Sequence, residues 1–134
     1  MKFAKRQFSK RHAAFECAVF VIHEPPITHP FPVGADMTHR GTAAAIVLPD
    51  GRFWVGVTLC SPKDQFIKAV GRAKAVGRAF QALISDPNDG DWLGAHGNLR
   101  MPADNGVIKE NLLYLKDMLS LGIQQAKRRL EPPH

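Results

Sequence analysis

Five cations, Lys63, Lys68, Arg72, Lys74 and Arg78, fall within one stretch of mostly helix-forming residues. Arginine presents a planar fork that matches phosphate oxygens, and lysine a compact point charge. Lys68, Arg72, Lys74 and Arg78 are therefore candidate phosphate ligands. Gly71 lies between the basic groups, where a glycine costs a helix about 1 kcal/mol relative to alanine. It is expected to leave bare backbone open to a close-approaching anion. Trp54 is the expected stacking partner for a base, with Phe53 and Trp92 as alternatives. The competing reading is that these cations are only the solvated face of an amphipathic helix.

No stronger chemistry stands out. The six histidines show no paired metal-ligand spacing, although His29 and His39 could converge from one loop. Cys60 precedes the expected helix start, where a thiol pKa falls, but no His or Asp can be assigned to it by spacing. There is no Walker loop, Gly-x-Gly-x-x-Gly or Gly-x-Ser-x-Gly, and no carboxylate pair. The acidic run 86–91 lacks the glycine and glutamate placement of an EF-hand. The sequence thus points to a non-enzymatic protein with no cofactor and no metal.

The elements that must position these residues are legible. Asp50-Gly51 marks a hairpin turn between 42–48 and 53–60. A two-residue loop there pairs Leu48 with Phe53, Ile46 with Val55 and Ala44 with Val57 on a bulky face. The opposite face, with Ala43, Ala45, Gly56 and Thr58, is small and flat apart from Trp54. It is expected to admit another strand, a subunit or a planar ligand. A helix is expected over 61–85, with Ser61 as N-cap, Pro62 in the first turn and Asp64 closing a capping box. Phe66, Val70, Ala73, Phe80 and Ile84 form its expected buried stripe, with Gly77 close to that stripe. The two Gly-Arg-Ala triplets at 71 and 77 are offset by 240° on the wheel and do not form a repeat.

Phe15 to His23 reads as a third strand, and the four prolines between Glu24 and Gly34 as an irregular loop. Residues 1–11 are expected to be a basic arm, 12–60 the sheet region, 86–106 a loop, and 107–130 a second helix capped by Asp104 or Asn105. Ile108, Leu112, Leu115, Leu119, Ile123 and Leu130 form its stripe. Leu113, Tyr114, Met118 and Leu121 widen it, which points to a homo-oligomer. Lys127, Arg128 and Arg129 suit the helix C-terminus. Taken together this is an α+β fold: an antiparallel sheet of about three strands against two long helices, in one domain of 134 residues.

The net charge of +6 favours anionic partners. No apolar run is long enough for a membrane span, no signal peptide is expected, and two cysteines make no disulfide framework. A cytoplasmic setting with reduced thiols follows. The run Cys60-Ser-Pro-Lys-Asp-Gln-Phe66, followed by Gly71-Arg72 and Ala75-x-Gly77-Arg78, resembles a segment of small phage-borne proteins, the anti-Thoeris sponge family among them. The resemblance covers residues 42–85 and transfers no ligand contact residue by residue. It implies an oligomer that sequesters a cyclic ADP-ribose-type signal without cleaving it. The alternatives are a nucleic-acid-binding protein using the helix and basic arm, and an inhibitor of a host nucleic-acid-processing complex.

Overall fold

The computed structural model describes residues 2–25, 39–61, 64–85, 96–98 and 105–130, with side chains throughout except at 96–98, 105–112 and 130. Residues 26–38, which hold most of the proline-rich loop and His29, as well as Pro62, Lys63, Trp92, Asp104 and most of the 86–106 stretch lie outside the described residues. The architecture is α+β. Five antiparallel strands follow sequence order across the sheet: β1 Ala4–Arg6, β2 Phe15–His23, β3 Arg40–Val47, β4 Arg52–Cys60 and β5 His96–Asn98. Helix α1 spans Lys68–Ile84 and α2 spans Asn105–Leu130. β2, β3 and β4 are the long strands of the sequence reading. Two short edge strands add to them. β1 comes from the expected basic arm and β5 from the expected loop.

The hairpin differs from expectation by one residue, with large consequences. Its loop is Pro49-Asp50-Gly51, closed by Leu48 N–H to Arg52 O at 2.8 Å and Gly51 N–H to Leu48 O at 2.9 Å. Gly51 sits at φ 91°, the left-handed conformation of a three-residue loop with a bulge. Asp50 secures it by accepting from the Arg52 backbone and side chain. Val47 therefore faces Phe53, Ala45 faces Val55 and Ala43 faces Val57. A one-residue shift moves every side chain of β3 to the other face.

The two faces then carry different helices. On one, Ala43, Ala45, Val47, Phe53, Val55 and Val57 pack against Leu115, Leu119 and Ile123 of α2. Full burial of each of these large side chains contributes roughly 1.5–3 kcal/mol. On the other, Cys17 and Ile46 pack against Ala79 and Phe80 of α1. Phe8 and Phe15 stack around Phe80, which anchors β1 and β2 to that helix.

The expected small face does not exist as one surface: Ala43 and Ala45 lie on the α2 side, and helix α1 sits on the other face, where Gly56 was expected to admit another chain segment. A Cβ on Gly56 would come within 2.2 Å of the Ala75 carbonyl oxygen and 2.3 Å of the Ala79 nitrogen. This backbone-on-backbone approach selects Gly71, Ala75 and Ala79 for the buried side of the helix. The expected stripe is thereby overturned: Val70 is 46% and Ile84 42% exposed, Ala73 faces solvent, and only Phe80 is buried. The helix also starts later than expected. Its N-cap is Ile67, which makes no side-chain cap bond, and Ser61 and Asp64 form an isolated turn instead. Among the described residues, no helix is long and apolar enough to cross a membrane.

Candidate functional site

β2 ends, β3 begins, β4 ends and α1 begins at one end of the sheet. There the strand register aligns His23 with Thr42 and Thr42 with Thr58. The three form a polar row across otherwise apolar strands, on the α1 face. Thr42 is 1% exposed, and its hydroxyl lies 2.9 Å from Nδ1 of His23. The first turn of α1 rests on this row, because a Cβ on Gly71 would come within 2.6 Å of the Thr42 hydroxyl.

Phe66 packs beside the row, edge-on to His23 with ring centroids 5.9 Å apart. The Arg40 guanidinium lies 3.8 Å from the centre of the Phe66 ring, a cation–π distance. Arg40 donates from Nη2 to the Glu24 carbonyl, while its buried Nε has no hydrogen-bond partner among the described residues. Glu24 fixes the end of β2 by accepting from Gly41 N–H and from Lys127 of α2, each at 2.6 Å. A cavity of about 240 Å³ opens between the strand ends and the helix start, lined by Arg40, Thr42, Thr58, Cys60, Phe66 and Lys74 among others. Among the described residues, Asp64 is the one carboxylate that lines it.

The electrostatics are positive. The His23 pKa is pushed below its ordinary 6.5, first by burial and then by the charges of Lys68, Arg72 and Arg40. Arg52 pairs with Asp50 and Lys127 with Glu24, but among the described residues no acid pairs with Lys68, Arg72 or Lys74. No acidic residue lies in the first turn of α1 either. A helix N-terminus carries partial positive charge and unsatisfied N–H groups, which suit an anion.

The expected site residues divide accordingly. Lys68 and Arg72 come together on the His23 side of α1, and Lys74 reaches the cavity from the other side. Gly71 lines the cavity, yet it is no open gap: it is the contact point between helix and sheet. Gly77, expected near the buried stripe, faces outward, and a methyl added there would meet nothing within 4 Å. Arg78 is half-buried and donates to the Val57 carbonyl, so one arm of its guanidinium serves the α1–β4 contact. Trp54 pairs across the sheet with Ile46, four residues along β3 from Thr42. At about 3.3 Å per residue that is roughly 13 Å from the polar row. The aromatic beside these cations is therefore Phe66 and not Trp54.

Arg40, His23, Thr42, Thr58 and Phe66 were missed by sequence reasoning. The available signal was three hydrogen-bonding side chains, His23, Thr42 and Thr58, at matching ends of apolar strands. Cys60, expected as a reduced strand residue at the helix start, points at the carbonyls of Ser61, Asp64 and Gln65 at 3.6–3.8 Å. No group of three metal-ligating side chains occurs among the described residues. Comparison with known proteins finds no matching family model, curated protein or solved structure.

Proposed function

We propose that the protein is a non-enzymatic binder of a phosphate-bearing nucleotide, with the phosphates held at the start of α1. The observation that carries this reading is the polar row His23–Thr42–Thr58 beneath Arg40, Lys68, Arg72 and Lys74, cations that no carboxylate pairs among the described residues. Hydroxyls and guanidinium groups at the edge of a low-dielectric cavity bind phosphate oxygens more strongly than the same groups in water. Arg40 and Lys74 line the cavity and take the ligand charge, Lys68 and Arg72 add positive field from the His23 side, Thr42 and Thr58 orient its oxygens, and Phe66 offers a ring edge to the nucleoside. The resemblance to phage sponges extends this to sequestration of a cyclic nucleotide signal in the cytoplasm. Self-association belongs to the same reading. Leu113, Tyr114 and Leu121 are exposed on α2, where a second subunit would cover them.

Native mass spectrometry of protein taken from cells reports subunit number and retained ligand together. Calorimetry with inorganic pyrophosphate tests the site itself. Saturable binding at one per subunit, weakened at least tenfold by Arg40→Gln or by Lys68→Gln with Arg72→Gln, is the expected result. Binding of DNA or RNA with a steep salt dependence, and none of pyrophosphate, would instead mark a nucleic-acid surface.

A further inference from the structure

A second concavity lies on the opposite side of α1 from Lys74, between the helix and β1, over β2. It is about 460 Å³, within the range of small-molecule sites. Its helical wall is Ala69, Ala73, Val76 and Phe80, spaced by four, three and four residues, which places them along one side of the helix. Val19 forms the floor and Phe8 one end. Ala69 and Ala73 are exposed, on a helix whose other solvent-facing positions include Lys68, Arg72, Lys74 and Gln81. Of this stripe only Phe80 packs into the core; Ala69 and Ala73 are left over, because Gly71, Ala75 and Ala79 make the contact with the sheet.

Two arginines close the arrangement. Arg6 from β1 and Arg72 from α1 both line the groove, and no carboxylate lines it among the described residues. Arg6 uses Nε to hold the Cys17 carbonyl at 3.3 Å, and no bond to its terminal nitrogens is seen among the described residues. We infer that this groove is a second binding site, for a small amphipathic anion. Its apolar body lies over Val19, Ala73 and Val76, and its single carboxylate, sulfonate or phosphate sits between Arg6 and Arg72. The charge complementarity selects an anion over a neutral or cationic amphiphile. The length of the apolar wall, eleven residue steps of helix from Ala69 to Phe80 rising about 1.5 Å each, suits a medium-length acyl chain or a fused ring pair.

Gly77 provides the decisive variant. It lines the groove, and a Cβ added there meets no atom within 4 Å outside its own helix backbone among the described residues, so the backbone leaves room for a side chain to start at the groove. The probe is anilinonaphthalene sulfonate, read by fluorescence, with dodecanoate as competitor and dodecyltrimethylammonium as the charge control. Dodecanoate is expected to displace the probe at one site per chain, and the cation is not. Gly77→Phe should weaken dodecanoate at least tenfold, and Arg6→Gln by about tenfold through loss of a charged hydrogen-bond partner. The inference is overturned by equal competition from the cationic amphiphile, or by unchanged dodecanoate affinity in folded Gly77→Phe and in Arg6→Gln. Neither variant touches the His23–Thr42–Thr58 row. Retained pyrophosphate binding in both therefore separates failure of this site from failure of the phosphate site.

Discussion

The facing of α1 can be tested by two alanine substitutions whose effects have opposite sign. Both Gly71→Ala and Gly77→Ala remove a helix-interior glycine, which by itself favours the helix by about 1 kcal/mol. At Gly77 the new methyl meets open space, so the full gain of about 1 kcal/mol should appear. At Gly71 it would lie 2.6 Å from the Thr42 hydroxyl and 3.3 Å from the Thr42 Cβ. Thr42 is β-branched, buried and hydrogen-bonded to His23, so it cannot turn away without breaking that bond. At 2.6 Å the overlap is severe, so the upper part of the overpacking range applies, about 2–3 kcal/mol, which outweighs the propensity gain. Gly71→Ala should therefore end about 1–2 kcal/mol less stable than the parent, and about 2–3 kcal/mol below Gly77→Ala. Urea unfolding measures this directly, and the pair should melt roughly 6–15 °C apart for a chain of this size. Thr42→Ala supplies a control: in that background Gly71→Ala should become neutral or stabilising, a coupling of about 1–3 kcal/mol. If Gly71→Ala stabilises as much as Gly77→Ala, the helix faces the other way and the polar row is not beneath it.

Gly56→Ala should be more damaging, by about 3 kcal/mol or more, because its methyl meets helix backbone that cannot rotate aside. Circular dichroism with urea titration would show it, and a neutral outcome would contradict the close approach of α1. Glu24→Ala leaves Gly41 N–H and Lys127 without their acceptor. A loss of about 2–3 kcal/mol in the same titration is expected, since both bonds involve a charged, partly buried group. His23 titrates below 6.5 in the folded chain, so the unfolded chain binds more protons as pH falls beneath that value. Stability should be fully present above about 6.5 and decline below it, and His23→Gln should flatten that slope. An anion lodged beside Lys68, Arg72 and Arg40 screens those charges and raises the His23 pKa. Sulfate, which stays doubly charged, should then bind more tightly as pH falls through that window. Calorimetric affinities that do not move with pH would place the anion away from His23.

The strand pattern, the turn glycine, the α2 stripe and the basic character of α1 were all legible locally. Alternating apolar residues, a left-handed turn position and charge spacing are properties of neighbours in the chain. Leu115, Leu119 and Ile123 were expected at the core for that reason, and they are there. What misled was the assumption that bulk marks the buried side of a helix. It assigned Val70 and Ile84 inward and Gly71 outward, and it set the start of the helix at Ser61 on capping chemistry alone.

Residue order alone determined that this chain makes long antiparallel strands and two helices, one of them strongly cationic. Only the tertiary arrangement decided which side of that cationic helix is free. Gly56 of β4 lets the sheet and helix backbones touch at Ala75 and Ala79, and contact at that distance admits only hydrogen between them. The helix therefore turned its smallest residues to the sheet. That rotation carried Lys68 and Arg72 to His23, withdrew Arg78 to Val57, and left Ala69, Ala73 and Val76 lining a groove. Proximity between residues far apart in sequence depends on packing distance, which no local spacing encodes.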